Sequence, residues 1–221
     1  MEQQLKDAMR SRHTVRKYKD QVLPDDIRTS LENRVNDLNG RLGLAIRLIS
    51  SDKDPLNTMG KFFLGGKGVK NFFILASESS KQDESLGYAS ADLMLFAQTL
   101  GLNTWWIGGT FNKKYIAGLA PDKNVVGIVV VGYGEESGKP HKSKPEDKVS
   151  SYSGDAPEWF KNGIEAALLA PTALNRQQFN IAGGGNKVRL TYQDGFLGAV
   201  DKGIVKYHFE LGAGRENFSW E

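Results

Sequence analysis

A chain of 221 residues with 39% apolar and 25% charged residues has the make-up of an ordinary globular domain with a sizeable core. Its net charge of +3, with bases and acids interleaved, argues against a nucleic-acid partner, and the lack of cysteine excludes disulfides, thiolate catalysis and cysteine-ligated metals. The N-terminus has no apolar core for a signal peptide, and the longest apolar run, Val125 to Val131, cannot span a bilayer, so a cytoplasmic protein that meets no membrane is expected.

Helical signals open the chain, over Glu2 to Met9 and over Pro24 to Val35. The second begins with proline and two acids, which suit a first helical turn. Leu44 to Ile49 and Phe72 to Ala76 read as strands, and Gly65-Gly66-Lys67-Gly68 between them as a flexible, amide-rich loop. From Ala89 to Leu100 the apolar residues recur at helical spacing, and Gly101 stops the helix. Val125 to Val131 is the clearest buried strand, ended by Gly132-Tyr133-Gly134. Glu135 to Ser153 is polar and reads as a surface excursion. A new helix opens at Asp155-Ala156-Pro157-Glu158, with Asp155 as the expected cap.

That helix starts an echo of the first part of the chain. Pro24 to Glu32 and Pro157 to Glu165 share the order proline, acid, x, apolar, base, x, x, apolar, glutamate. A second echo pairs the segment after Asp92 with the one after Asp201, placing Leu95, Phe96 and Leu102 opposite Ile204, Val205 and Leu211. One amphipathic helix resembles another, but two matches in the same order favour an internal pseudo-duplication. The first copy would span about 1–150 and a truncated second copy about 155–221 of one domain, 1–221.

Two stretches far apart in the chain carry the chemistry. Arg10, Arg12, Arg16, Lys17 and Lys19 crowd together with no acid among them. A solvated basic face is one reading. The other is that guanidiniums grip a phosphate by paired hydrogen bonds, with Thr14 adding a hydroxyl. Ala170 to Phe179 is a turn of small and amide side chains at the end of an apolar helix. Gly132-x-Gly134 lacks the third glycine and following helix of a dinucleotide fingerprint. His13, His141 and His208 have no metal-ligand spacing, and Glu135-Glu136 sits in a polar turn, so no metal and no catalytic carboxylate pair is expected. Asp92 and Asp201 read as helix caps, and Trp105 and Trp106 as core residues or a cofactor wall.

Arg12-His13-Thr14-Val15-Arg16-Lys17-Tyr18 resembles the Arg-x-Ser-x-Arg/Lys-x-Phe/Tyr arm of the FMN-dependent nitroreductase family. Ala170 to Phe179 is similar to that family's Ala-Pro-Ser-x-x-Asn-x-Gln-Pro-Trp turn, with Gln178 in place of proline and Phe179 of tryptophan. Leu100 to Gly109 and Val131 to Gly134, the latter followed by His141-Lys142-Ser143-Lys144, resemble its Leu-Gly-Leu-Gly-x-x-Trp-x-Gly segment and its closing strand with phosphate-binding tail.

The resemblance implies an α+β fold, a mixed and mainly antiparallel sheet flanked by helices. It also implies roles for particular residues. Arg12 and Thr14 would meet the FMN phosphate and ribityl chain, helped by Lys142 and Lys144. Arg16 would approach the pyrimidine edge, and His13 would contact the flavin through its backbone. Ile107, Gly108 and Gly109 would bring amides near the reacting edge. Pro171, Thr172, Ala173 and Asn175 would line the other side, and the Gly65 to Gly68 loop would add a further wall. The implied activity is hydride transfer from NADH or NADPH to FMN and onward to a small-molecule electron acceptor, with no catalytic side chain required. A flavin carrier or sensor without turnover is the alternative. In the family the turn lies in the first third of the chain, where this sequence has Asn39-Gly40-Arg41-Leu42, and the second copy has no arginine-rich arm before Pro157. The resemblance therefore implies a pseudo-dimeric monomer with one composite site, able to assemble further.

Overall fold

The computed structural model describes residues 1–51 and 53–221. Helix α1 spans Glu2–Ser11 and α2 spans Asp25–Leu42. Leu31, Val35 and Leu38 carry α2's buried stripe past the expected end at Val35, and Gly43, in the left-handed region at φ 65°, terminates it. Asn39 to Leu42 thus form the helix's last turn, and the Asn39 side chain clasps Ile46 through both its N–H and its carbonyl.

Strands β1 (Arg47–Ser50), β2 (Asn71–Ser77), β3 (Asn103–Ile107) and β4 (Asn124–Gly132) form an antiparallel sheet in the order β1-β2-β4-β3. The central pair is apolar on both faces, as Phe72 to Leu75 and Ile128 to Val131 require, because helices cover one face and the arm, the residue 56–69 segment and α4 (Lys113–Leu119) the other. The second sheet orders β5 (Ser150–Ser153), β6 (Phe179–Gly184), β7 (Lys187–Tyr192) and β8 (Ser219–Trp220). Its outer pairs are parallel and its central pair is antiparallel. Composition hid β6 and β7, whose glycines and alternating charged residues mask the buried positions Phe179, Ile181, Val188 and Leu190.

Helix α3 (Asp83–Thr99) crosses α6 (Gly198–Ala213), and α5 (Glu158–Leu168) packs on α6. The crossing is made by two glycines. A Cβ on Gly87 would stand 1.9 Å from the Val200 carbonyl oxygen, and one on Gly203 the same 1.9 Å from that of Glu84. Gly87 and Gly203 are separated by as many residues as Glu84 and Val200. At the crossing Gly87 thus sits against Val200 and Gly203 against Glu84. The order helix, two antiparallel strands, helix, short strand occurs both in α2-β1-β2-α3-β3 and in α5-β6-β7-α6-β8.

Three expected caps are corrected. Asp201 lies inside the first turn of α6, which has no side-chain cap, and its carboxylate accepts from the Ala173 amide and the Tyr192 hydroxyl instead. Asp92 lies in the middle of α3, which starts six residues before Ala89, at Asp83. There it takes a paired hydrogen bond from Arg34 at 2.6 and 2.7 Å and one from the Tyr207 hydroxyl at 2.9 Å. Helix α5 starts at Glu158 behind Pro157 with no side-chain cap, so Asp155 does not cap it. Among the described residues no helix is long and apolar enough to cross a membrane.

Candidate functional site

The arm leaves α1 at Arg12 and runs extended along the sheet edge. Thr14 bridges Thr104 at the start of β3, Lys17 bridges Lys67 and Tyr18 bridges Gly134. Val15 and Tyr18 point into the core, and the Tyr18 hydroxyl donates to the Val15 carbonyl at 2.8 Å. Arg16 remains exposed, with its guanidinium 5.6 Å from the Trp105 ring centre, a cation–π contact. The Gly65 to Gly68 loop belongs to this wall, since Lys67 exchanges backbone hydrogen bonds with Arg16 and Tyr18.

Arg12 is the unusual member. Its side chain is 6% exposed, and among the described residues it has neither an ion-pair partner nor a hydrogen-bond acceptor. Burial pulls its pKa down to about 10, so it is still a cation at neutral pH. Its neighbours add no negative charge. His13 is half-buried, and burial followed by the Arg12 charge lowers its pKa. His208 on α6 is buried, with Nδ1 on the Ile204 carbonyl at 2.9 Å and Nε2 unpartnered, and desolvation takes it down to about 3. His13 and His208 both also feel His141. Thr104 Oγ1, beneath Thr14, is a further buried oxygen without a partner. A largely buried cation without a partner is costly to the fold, and a negative charge brought beside it would offset that cost.

The tail joins the arm to the turn. A Cβ on Gly138 would lie 2.9 Å from that of His13, so the tail passes close against the arm. His141 Nε2 lies 2.8 Å from the Leu168 carbonyl at the end of α5. Asn175 and Gln177 both donate to the Lys142 carbonyl at 2.8 Å, and Gln177 Oε1 accepts the Lys144 amide, also at 2.8 Å. The Lys144 ammonium, on an exposed side chain, donates to the Gln177 carbonyl at 2.9 Å. Lys142 is exposed.

The turn itself is strained. Leu174, Asn175 and Gln177 have φ of 53°, 53° and 47°, in the left-handed region that costs a residue other than glycine about 1 kcal/mol or more. Gln177, 1% exposed and bonded on every side, holds that geometry, and Thr172 accepts its backbone N–H at 3.0 Å. Asp201 in the first turn of α6 accepts the Ala173 amide. Leu197, just before α6, rests on Gly108, where a Cβ would come within 2.3 Å of its Cδ1. The start of α6 therefore carries both the Pro171 to Asn175 turn and the Ile107 to Gly109 segment, of which Ile107 is buried and Gly109 exposed. Sequence reading missed Gln177, Asp201 and His208. Only Gln177 had a signal, as the glutamine two residues after Asn175.

The family model described as "Putative TM nitroreductase" matches residues 4–213. The chain belongs to that nitroreductase family. Among solved structures it is similar to a putative nitroreductase of Thermotoga maritima MSB8, at 22% identity and a TM-score of 0.65, over 96% of this chain and 84% of that one. A putative nitroreductase in complex with FMN from Desulfovibrio desulfuricans matches at 16% identity and a TM-score of 0.54, over 69% of this chain and 96% of its own. A putative NAD(P)H:FMN oxidoreductase of Staphylococcus epidermidis matches at 14% and 0.50, over 66% and 93%. These likenesses establish a nitroreductase-like fold. No curated protein matches the chain. Among the described residues no cluster of three His, Asp or Glu side chains could hold a metal ion.

Proposed function

We propose that this nitroreductase-family chain is an FMN-dependent NAD(P)H oxidoreductase that reduces a small acceptor. The observation that carries this reading is Arg12, a largely buried residue whose guanidinium has no partner among the described residues, at the meeting of arm, tail and α6. A terminal phosphate dianion supplies the missing charge, with the Thr14 and Thr104 hydroxyls and Lys142 around it. Arg16 and the Ile107 to Gly109 amides suit the polar edge of a flavin ring, and the turn at Pro171, Thr172, Ala173 and Asn175 suits its other side. The arm supplies cations for one terminal phosphate, and structural relatives were solved in complex with FMN, which favours FMN over FAD. Bound FMN supplies hydride acceptance and onward electron transfer. The chain supplies position and charge, including Arg16 near an edge that becomes anionic on reduction.

On this reading the arm, the Ile107 to Gly109 segment and the tail come from the first copy, about 1–150, and the turn from the second, and one chain would hold the whole site. The recurring element order and the paired glycines at the α3–α6 crossing support a fused, truncated dimer with one flavin per chain. Further assembly is then optional, and the cytoplasm is the compartment we assign.

Denaturing the purified protein and separating the released cofactor by chromatography tests this directly. FMN is expected. FAD, or no uptake of added FMN, overturns the reading, and FMN without oxidation of NADH or NADPH makes the chain a carrier or sensor. Mixing an Arg12→Ala/Arg16→Ala chain with an Asn175→Leu/Thr172→Val chain tests where the site lies. Recovery of FMN binding on co-refolding would mean that two chains share it.

A further inference from the structure

A cleft of about 520 Å³ opens beside Gly108, a size that suits a small organic ligand. Its floor is the buried side chains of Phe111 and Ile116, and Val125 flanks them. The opposite wall comes from the other half of the chain. Leu197, held at φ 65° and seated on Gly108, closes that side, and Phe196 beside it stands 77% exposed at the rim. An aromatic ring with so little protein contact is an open stacking surface.

The rim charges are unequal in availability. Lys123 is paired with Glu78 at 2.6 Å, and Asp83 accepts a hydrogen bond from Asn124 at 2.8 Å. Lys113 also lines the cleft and, among the described residues, makes no ion pair. We infer that this cleft is the acceptor site and that it selects planar aromatic acceptors bearing an anionic group, such as sulfonated or carboxylated quinones. The ring stacks on Phe196 over the apolar floor, and the anion faces Lys113. This rests on the flavin reading, because Gly108 is at once the cleft's edge and the expected neighbour of the flavin's reacting edge. In the overall reaction NADH and one proton reduce a quinone to the quinol, leaving NAD+.

Calorimetric titration of the purified protein with naphthalene-2-sulfonate and with neutral 2-naphthalenemethanol tests the cleft without relying on turnover. The wild type is expected to prefer the sulfonate by about threefold, and Lys113→Glu to reverse that preference by a similar factor, as a solvent-exposed ion pair allows. Phe196→Ala is expected to weaken both ligands. Equal affinities that Lys113→Glu leaves unchanged, or no binding of either ligand, overturn the inference. If FMN binds and neither naphthalene does, the cleft fails while the flavin reading stands. If the naphthalenes bind as expected and FMN does not, the cleft is a binding site and its assignment to an electron acceptor is overturned together with the flavin reading.

Discussion

Asp201 holds Ala173 through both carboxylate oxygens, which accept its amide N–H at 3.1 and 2.9 Å. The Tyr192 hydroxyl donates to the same carboxylate at 2.7 Å, and burial pushes the carboxyl pKa up. One acidic side chain thus anchors the turn to α6. Asp201→Ala leaves a half-buried hydroxyl and an amide without their acceptor, and is expected to cost roughly 1–3 kcal/mol in urea denaturation. Asp201→Asn retains one oxygen for the amide and is expected to cost less. Equal losses for the two variants would show that bulk rather than the carboxylate holds the turn.

Arg12 links stability and binding with opposite signs. Arg12→Met removes a buried, unpaired cation of similar length, so the flavin-free protein is expected to gain about 1 kcal/mol or more. The same change removes a charged hydrogen bond to phosphate worth roughly 1.5–3 kcal/mol, a ten- to hundred-fold loss of FMN affinity. Lys19→Ala, an exposed residue beyond the arm motif, is expected to change neither quantity much. Melting without flavin and fluorescence titration with FMN read the two effects separately. A flavin-free protein destabilised by Arg12→Met would contradict the account.

His208 predicts the pH dependence. Its folded pKa of about 3 lies below its ordinary value of 6.5 because the ring is fully desolvated. Between these values the unfolded chain binds the extra proton, so stability rises with pH across that window and is lost as pH falls. At pH 4.5 the loss relative to neutrality amounts to roughly 3 kcal/mol, from about 1.4 kcal/mol per pH unit below the unfolded pKa. His208→Leu fills the same space without a titrating group. Its stability difference between pH 7 and pH 4.5, from urea midpoints, should be smaller than that of the wild type by this amount. An unchanged difference would place the acid sensitivity elsewhere.

The α3–α6 crossing is expected to tolerate no side chain at its centre. Gly87→Ala and Gly203→Ala each drive a methyl group into a backbone carbonyl at 1.9 Å and are expected to cost roughly 3 kcal/mol in thermal denaturation. Gly118 in α4 has nothing within 4 Å of its Cβ position, so Gly118→Ala is expected to stabilise by about 0.5–1 kcal/mol. A mild effect at Gly203 would mean that the helices part easily.

Local pattern carried the long helices and the two central strands of the first sheet, because burial on a stripe or on both faces leaves its period in the residue order. Leu31, Val35 and Leu38 mark α2 in this way, and Phe72 to Leu75 mark β2. The arm and the turn were also legible, since Arg12, Thr14, Arg16 and Asn175 lie in short local motifs. The second sheet was not. Its buried positions alternate with charge and glycine, and two of its three pairings join strands far apart in the chain.

Which of the motif residues matter, and how, was decided only by tertiary contacts. Nothing local to Arg12 says that its guanidinium is buried unpaired while Arg16, four residues on, stays in solvent beside Trp105. Lys142 and Lys144 look alike in the sequence and both are exposed, yet the Lys144 ammonium donates to the Gln177 carbonyl while Lys142 meets the turn through its backbone carbonyl. Asp92 and Asp201 look like equivalent caps, yet one neutralises Arg34 in mid-helix and the other anchors Ala173. Sequence order specifies the charge and shape of each group. The dielectric around it and the partner it meets depend on which distant segments the fold packs against it, and these set whether a charge is spent on the protein or kept for a ligand.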